Sequence, residues 1–215
     1  MPRLTPEADR RRVGLMWEFE LAVSQSHAWQ GNVAGLDEAG RGPLAGPVVA
    51  AAVVLPRGLY LPRLNDSKAL SSAARADLAT AIRTQAVGWA IAETSPAEID
   101  QTNILAATHT AMRRALAGLA IAVAGVVVDG LPVRSLGWAH AAIPKGDAKC
   151  PSIAAASILA KCHRDEQMAA LDSVYPGYGF AQHKGYPTPE HVAALGRLGP
   201  CPIHRISFRW RHLLP

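Results

Sequence analysis

Two adjacent carboxylates, Asp37 and Glu38, close a short apolar run, Val33-Ala34-Gly35-Leu36, and a Gly-Arg-Gly-Pro turn follows at residues 40–43. A charged pair at the mouth of a buried strand is costly unless something neutralises it, and a divalent cation does so well. Gly40, Arg41 and Gly42 offer what a phosphate needs: backbone that can approach closely, and one fork-shaped cation. An acid pair beside a phosphate loop points to metal-dependent chemistry on a phosphodiester.

A third acid, Asp129, ends the run Val126-Val127-Val128. Open α/β sheets place their ligand sites at the carboxyl ends of strands, so Asp129 can meet Asp37 and Glu38 although it is distant in sequence. Neighbouring strand residues point to opposite faces, so Asp37 and Glu38 share a metal only if the strand ends or bulges at Glu38. The glycines at 40 and 42 fit that expectation. Carboxylate oxygens without Cys or His select Mg²⁺ or Mn²⁺ over zinc. Two such ions about 4 Å apart would activate a water and stabilise the leaving oxygen. A second ion needs a fourth acid. Asp147, in a Lys-Gly-Asp loop before a helix, suits it better than Asp165 inside that helix. For Asp165 an ion pair with Lys161 or Arg164, or a buried cap, is the better reading. Asp66 reads as a turn residue, and Glu93, Glu98 and Asp100 as surface or capping acids.

The elements that must position these groups alternate along the chain. Thr5-Pro6-Glu7 starts a helix that runs to about residue 23. Strands follow at 33–37 and 48–55, the second apolar throughout, which reads as a hairpin of central strands. A helix at 72–86, a strand at 87–94, a short helix opened by the Ser95–Glu98 capping box and a helix at 103–119 come next. Residues 124–130 form a buried strand, 138–143 one more, and Ser152 to about Leu171 a helix buried nearly all round in its first half. Thr188-Pro189 starts a last helix that Gly199-Pro200 stops. The fold class is α/β: a mixed central sheet flanked by helices.

The chain has 215 residues, enough for one domain with a full core, and its 49% hydrophobic and 18% charged residues fit an ordered globular protein, not a disordered one. No apolar run is long enough to span a bilayer and nothing resembles a signal peptide, so the expected location is the cytoplasm, with no membrane partner. Cys150, Cys162 and Cys201 are odd in number and widely spaced, which favours reduced thiols. A net charge of +5 favours an anionic partner. His204, Arg205, Arg209, Arg211 and His212 crowd the C-terminus, and residues 175–191 interleave Tyr175, Tyr178, Phe180 and Tyr186 with His183 and Lys184. Such patterning suits stacking and phosphate contact, although aromatics plugging the core edge would read the same way.

The same residues carry a resemblance. The stretch G-L-D-E-A-G-R-G-P-L-A-G-P-V-V-A-A-A-V resembles the opening signature of the type 2 ribonucleases H, bacterial type. So do D-S-K-A-L-S at 66–71, V-V-D-G at 127–130, K-G-D at 145–147, S-I-A-A-A-S-I-L-A-K at 152–161 and Y-G-F-A-Q-H-K-G-Y-P-T at 178–188. The resemblance implies a ribonuclease H-like fold in a single domain, with a C-terminal helical extension over about 172–215. It implies endonucleolytic cleavage of RNA in RNA–DNA hybrids, and 5′ of single ribonucleotides in duplex DNA, leaving 3′-hydroxyl and 5′-phosphate ends during ribonucleotide removal. It carries the catalytic metal ligands onto Asp37, Glu38 and Asp129 and the fourth carboxylate onto Asp147, with Mn²⁺ or Mg²⁺ in a two-metal site. It carries a 2′-hydroxyl sensor onto Gly40, Arg41 and Gly42, and a stacking tyrosine onto Tyr186. Lys68, Lys184 and the C-terminal arginines would hold phosphates. A monomer is implied, and with no clamp-binding peptide evident at the tail, a sliding-clamp partner is not supported.

Other readings keep part of this pattern. A related metal nuclease could act on DNA junctions or ends. A nucleotide-binding module could use the Gly-Arg-Gly loop, but the loop lacks a P-loop ending and the acid pair would repel phosphates. A non-catalytic RNA–DNA binder would be hindered by four buried carboxylates.

Overall fold

A computed structural model describes residues 5–65, 67 and 70–208. Thr5 caps α1 (Pro6–Ser26) through its side-chain oxygen, with Pro6 in the first turn. Two strands follow, β1 (Val33–Ala39) and β2 (Val48–Val54). Then come α2 (Ser72–Gln85), β3 (Gly88–Thr94), α3 (Pro96–Gln101), α4 (Ile104–Ala117), β4 (Gly125–Asp129) and β5 (His140–Ile143). A 3₁₀ turn at Gly146–Ala148 precedes α5 (Pro151–Val174), α6 (Phe180–His183) and α7 (Pro189–Leu198). The Ser95–Glu98 capping box is formed in both directions.

The five strands form one sheet in the order β3-β2-β1-β4-β5. β1 lies at the centre, antiparallel to β2 and parallel to β4. Its register with β4 sets Leu36 opposite Val128, so Asp37 and Asp129 are next neighbours at the carboxyl ends of adjacent strands. One face, with Val49, Ala51 and Val53, packs on α1, α2 and α5. The other, with Leu36, Ala50, Ala52, Val126 and Val128, packs on α4. All seven β2 residues are buried, as its apolar run requires.

Helix α5 crosses β1 at very short range. A Cβ on Gly35 would stand 2.0 Å from the Ser152 carbonyl carbon, so only glycine lets helix backbone rest on strand backbone there. The first half of α5 is buried on every side, as its small apolar composition anticipates. At the other end of α5, Met168 joins Leu44, Tyr178, Phe180 and Leu195 in a separate apolar cluster that seats α6 and α7.

Two expectations need correction. β1 does not end near residue 37: Glu38 pairs with Ala50 and Ala39 with Val49, because β2 extends beyond β4 and keeps supplying backbone partners. The four-residue α6 stands where the sequence pattern shows only a loop, since so short a helix displays no period. No described helix is long and apolar enough to cross a membrane.

Candidate active site

Asp37 stands on the α5 face of β1, only 5% exposed. Its Oδ1 accepts the Glu38 N–H at 2.7 Å. Burial, then the nearby charges of Glu38 and Asp129, push its carboxyl well above the ordinary carboxylate range, with the Glu38 N–H and the Ser157 hydroxyl opposing the shift. The three acids are thus electrically in one site. Because β1 continues, the backbone at Glu38 faces the opposite side from Asp37, and only a long, flexible side chain can share that site around the sheet edge. Glu38 is held by Arg41, with an Nη1 to Oε1 distance of 3.3 Å.

Asp129 ends β4, where its Oδ1 accepts the Gly146 N–H at 2.6 Å. That bond ties the 3₁₀ turn, which carries Asp147 as its next residue, to the end of the strand. Asp147 is 8% exposed and engaged by neighbouring groups. The turn begins with Lys145 in the left-handed region (φ 58°), which directs the chain back over the strand ends. Asp165 is elsewhere, paired with Lys161 at 2.7 Å and Arg75 at 3.7 Å. The ion-pair reading of Asp165 holds.

The donor chemistry fits a hard divalent cation. It offers carboxylate oxygens, mutual repulsion, and in Asp37 a buried acid that forms no salt bridge among the described residues. The side chains as they stand bring charge together without forming a ligand shell. Among the described residues no three His, Cys, Asp or Glu side chains are already arranged to hold a metal ion. Asp37, Glu38, Asp129 and Asp147 are the groups that could hold one.

The Gly-Arg-Gly loop leaves β1 at once, with Arg41 exposed at its tip. Tyr186 rises beside it, 41% exposed, and a Cβ on Gly42 would lie 3.7 Å from its ring. Leu44 N–H donates to the Gly185 carbonyl at 2.8 Å, tying the loop to the tyrosine segment. Of the four aromatics in residues 175–191, Phe180 and Tyr178 stack 5.2 Å apart in the core and Tyr175 packs at its edge. For these three the core-plug reading is the right one; Tyr186 alone among them presents an exposed ring. Lys184 is half-buried, in the left-handed region (φ 54°). Lys68, Arg209, Arg211 and His212 lie outside the described residues.

Arg205, one of the C-terminal cations expected to hold phosphates, is out of their reach. It is fully buried, and its guanidinium donates to loop carbonyls, including Gly40 at 2.6 Å and Pro43 at 2.8 Å. Arg164, also buried, does the same from α5. The sequence carried a signal for Arg164: it follows Ser157 and Ala160 on the face of α5 that also buries Met168. His204 is buried too. Its ring meets His191 at 3.1 Å, and burial, then His191, lower its pKa to about 4. Cys150, Cys162 and Cys201 are free thiols.

A family model described as Ribonuclease HII matches residues 34–211. The Ribonuclease HII of Moorella thermoacetica is 51% identical over 201 residues, covering 94% of this chain and 97% of that protein. That of Pelodictyon phaeoclathratiforme is 57% identical over 187 residues, covering 84% and 91%. Among solved structures, the ribonuclease H2 of Pyrococcus horikoshii OT3 matches with a TM-score of 0.70 at 27% identity, covering 83% of this chain and 94% of that one.

Proposed function

The chain belongs to the ribonuclease HII family and has its ribonuclease H-like fold, and from that premise we propose how its residues select and cut a ribonucleotide strand. It is an endonuclease of the ribonuclease H type, acting on RNA in RNA–DNA hybrids. The finer reading is that it also cuts 5′ of single ribonucleotides embedded in duplex DNA, leaving 3′-hydroxyl and 5′-phosphate ends. It works as a monomer in the cytoplasm and serves ribonucleotide removal.

One juxtaposition carries this reading. The buried Asp37, with Glu38 and Asp129 close enough to raise its pKa, is three residues from a Gly-Arg-Gly loop that faces the exposed Tyr186 ring. A scissile phosphate at the acids therefore has its 2′-hydroxyl neighbour at the loop. A 2′-hydroxyl both donates and accepts, which main-chain groups can answer where glycine leaves room. The flat ring of Tyr186 stacks on whatever follows, without regard to base identity.

Asp37, Glu38, Asp129 and Asp147 would hold Mg²⁺ or Mn²⁺, two ions in the fullest form of the reading. Bound there, the cations supply Lewis-acid polarisation of the phosphate and a more acidic water. The Gly146 N–H fixes the orientation of Asp129, and Arg41 restrains Glu38 near the loop. Lys184 and Lys68 contribute positive charge toward the flanking phosphates.

The test uses a labelled duplex carrying one ribonucleotide, its all-DNA twin, and Mg²⁺, Mn²⁺ or chelator. The expected result is a cut just 5′ of the ribonucleotide, only with metal. Asp129→Asn should lower cleavage by about a hundredfold or more while keeping substrate binding. Unchanged turnover in that variant would remove Asp129 from the metal site, and equal cutting of the all-DNA twin would favour a DNA junction nuclease.

A further inference from the structure

Two arginines far apart in sequence converge beneath the Gly-Arg-Gly loop and touch neither the site acids nor the solvent. Arg164 is 1% exposed and Arg205 0%. Among the described residues neither forms a salt bridge with a carboxylate. Burying two like charges side by side without a counter-ion is strongly unfavourable unless dipoles replace the lost water. The replacement here is main-chain carbonyl oxygen. Arg164 donates to Ala45, Pro47 and Lys184, each at 3.0 Å. Arg205 donates to Gly40 at 2.6 Å, Pro43 at 2.8 Å, Gly46 at 2.9 Å, Arg41 at 3.0 Å and Pro47 at 3.1 Å. The Leu44 carbonyl accepts from the Arg205 backbone N–H at 2.8 Å. From Gly40 to Pro47, then, every carbonyl except that of Gly42 is drawn inward by one of these two residues.

That inward pull has a consequence on the other side of each peptide. In a planar trans peptide the carbonyl of one residue and the N–H of the next point opposite ways. With the Gly40 and Arg41 carbonyls turned in, the N–H groups of Arg41 and Gly42 are turned out. The Gly42 carbonyl is outside the set the arginines hold, and Gly42 itself is exposed, with the Tyr186 ring beside it. Two outward main-chain donors, beside a carbonyl that neither arginine holds, offer the partners a hydroxyl that both donates and accepts can use. Gly40 is part of the device: its Cβ would stand 2.1 Å from Arg164 Nε, so glycine there makes room for the brace rather than for substrate. The same Arg164 holds the Lys184 carbonyl, two residues from Tyr186, so loop and ring rest on one support.

We propose that Arg164 and Arg205 are positioning residues that set sugar selectivity, by orienting the Arg41–Gly42 main chain and the Tyr186 segment as one rigid 2′-hydroxyl reader. The proposal rests on the function put forward above. It goes further in assigning selectivity to two residues that never meet the nucleic acid.

The experiment uses the full chain carrying Asp129→Asn, so that binding is read without cleavage. Affinity is measured by fluorescence anisotropy for the one-ribonucleotide duplex and for its all-DNA twin, with and without Arg205→Lys or Arg164→Lys. Lysine keeps the charge but lacks the planar fork. The expected result is a fall in the ribonucleotide-to-DNA affinity ratio of about tenfold, the worth of one lost hydrogen bond, with all-DNA affinity little changed. In an Arg205→Gly background, added guanidinium at sub-denaturing concentration should restore the ratio. Folded variants that keep the native ratio would overturn the proposal. Should both lysine variants fail to fold, amide exchange of the otherwise unaltered chain decides. Protection of the Arg41 and Gly42 amides by the ribonucleotide duplex and not by its twin supports the outward orientation; equal protection refutes it. If the parent chain itself prefers neither duplex, the function proposed above has failed, and not the brace alone.

Discussion

Asp37→Asn should stabilise the metal-free protein while removing its response to divalent cations. Asp37 and Asp129 occupy neighbouring positions on adjacent parallel strands, since Leu36 pairs with Val128 one step earlier. Adjacent strands lie about 4.8 Å apart, so charges about 5.5 Å apart at an effective dielectric near 20 repel by about 3 kcal/mol. Glu38 adds to this, and burial deepens it. The sign follows from linkage. A carboxyl raised in the folded state costs nothing below its unfolded pKa, and the cost grows as pH rises through the ordinary carboxylate range toward the folded value. At neutral pH the substitution therefore gains, and it gains more than at pH 4. Asparagine keeps the oxygen that accepts the Glu38 N–H, so that bond survives. For a chain of this length about 2–3 kcal/mol moves Tm by about 4–12 °C. The assay is thermal unfolding in chelator and again in millimolar Mg²⁺ or Mn²⁺. The native chain should rise with metal, and the variant should start higher and rise little. A variant that melts at or below the native chain in chelator would refute the idea that these acids strain one another.

Two further outcomes test the frame around the site. Gly35→Ala forces a Cβ to within 2.0 Å of α5 backbone, and the strand or helix must move; a loss of about 3 kcal/mol or more is expected in urea unfolding, and near-neutral stability would contradict the packing of α5 on β1. His204 has a folded pKa of about 4 against an ordinary 6.5, so its neutral form contributes stability above pH 6.5 that is lost as pH falls toward 4. Between pH 7 and pH 5 the expected loss from this residue alone is about 2 kcal/mol, opposite in sign to the gain as the raised carboxyl of Asp37 takes up its proton. His191, lowered by burial, acts in the same direction; the check compares the native chain with His204→Gln over that interval, and identical pH slopes would show that His204 carries no such linkage.

Much of the architecture is local in origin, and local patterns are visible in a sequence. The apolar run of β2, the Ser95 capping box, the Pro-led starts of α1 and α7 and the small-residue half of α5 each follow from propensity and period within about a dozen residues. The acids of β1 and β4 were legible in the same way, because carboxylates closing an apolar run stand out, although in β1 the pairing with β2 carries the strand past them to Ala39. What the strand register does with them was not. That Asp37 and Asp129 fall at neighbouring positions on adjacent strands, and that the Gly146 turn carrying Asp147 is bonded to Asp129, depends on which strands pair and in which direction.

The cations show the limit most plainly. By type, Arg205 and Arg209 look alike, and both belong to the basic cluster near the C-terminus. Burial against a loop 159 residues earlier turns Arg205 into a brace for carbonyls, where phosphate cannot reach it. Tyr178 and Tyr186 likewise share composition and neighbourhood, yet one stacks inside on Phe180 and the other stands beside Gly42. Residue type specifies which bonds a side chain is able to make. Which of them it does make is decided by desolvation, and desolvation is a property of the assembled fold.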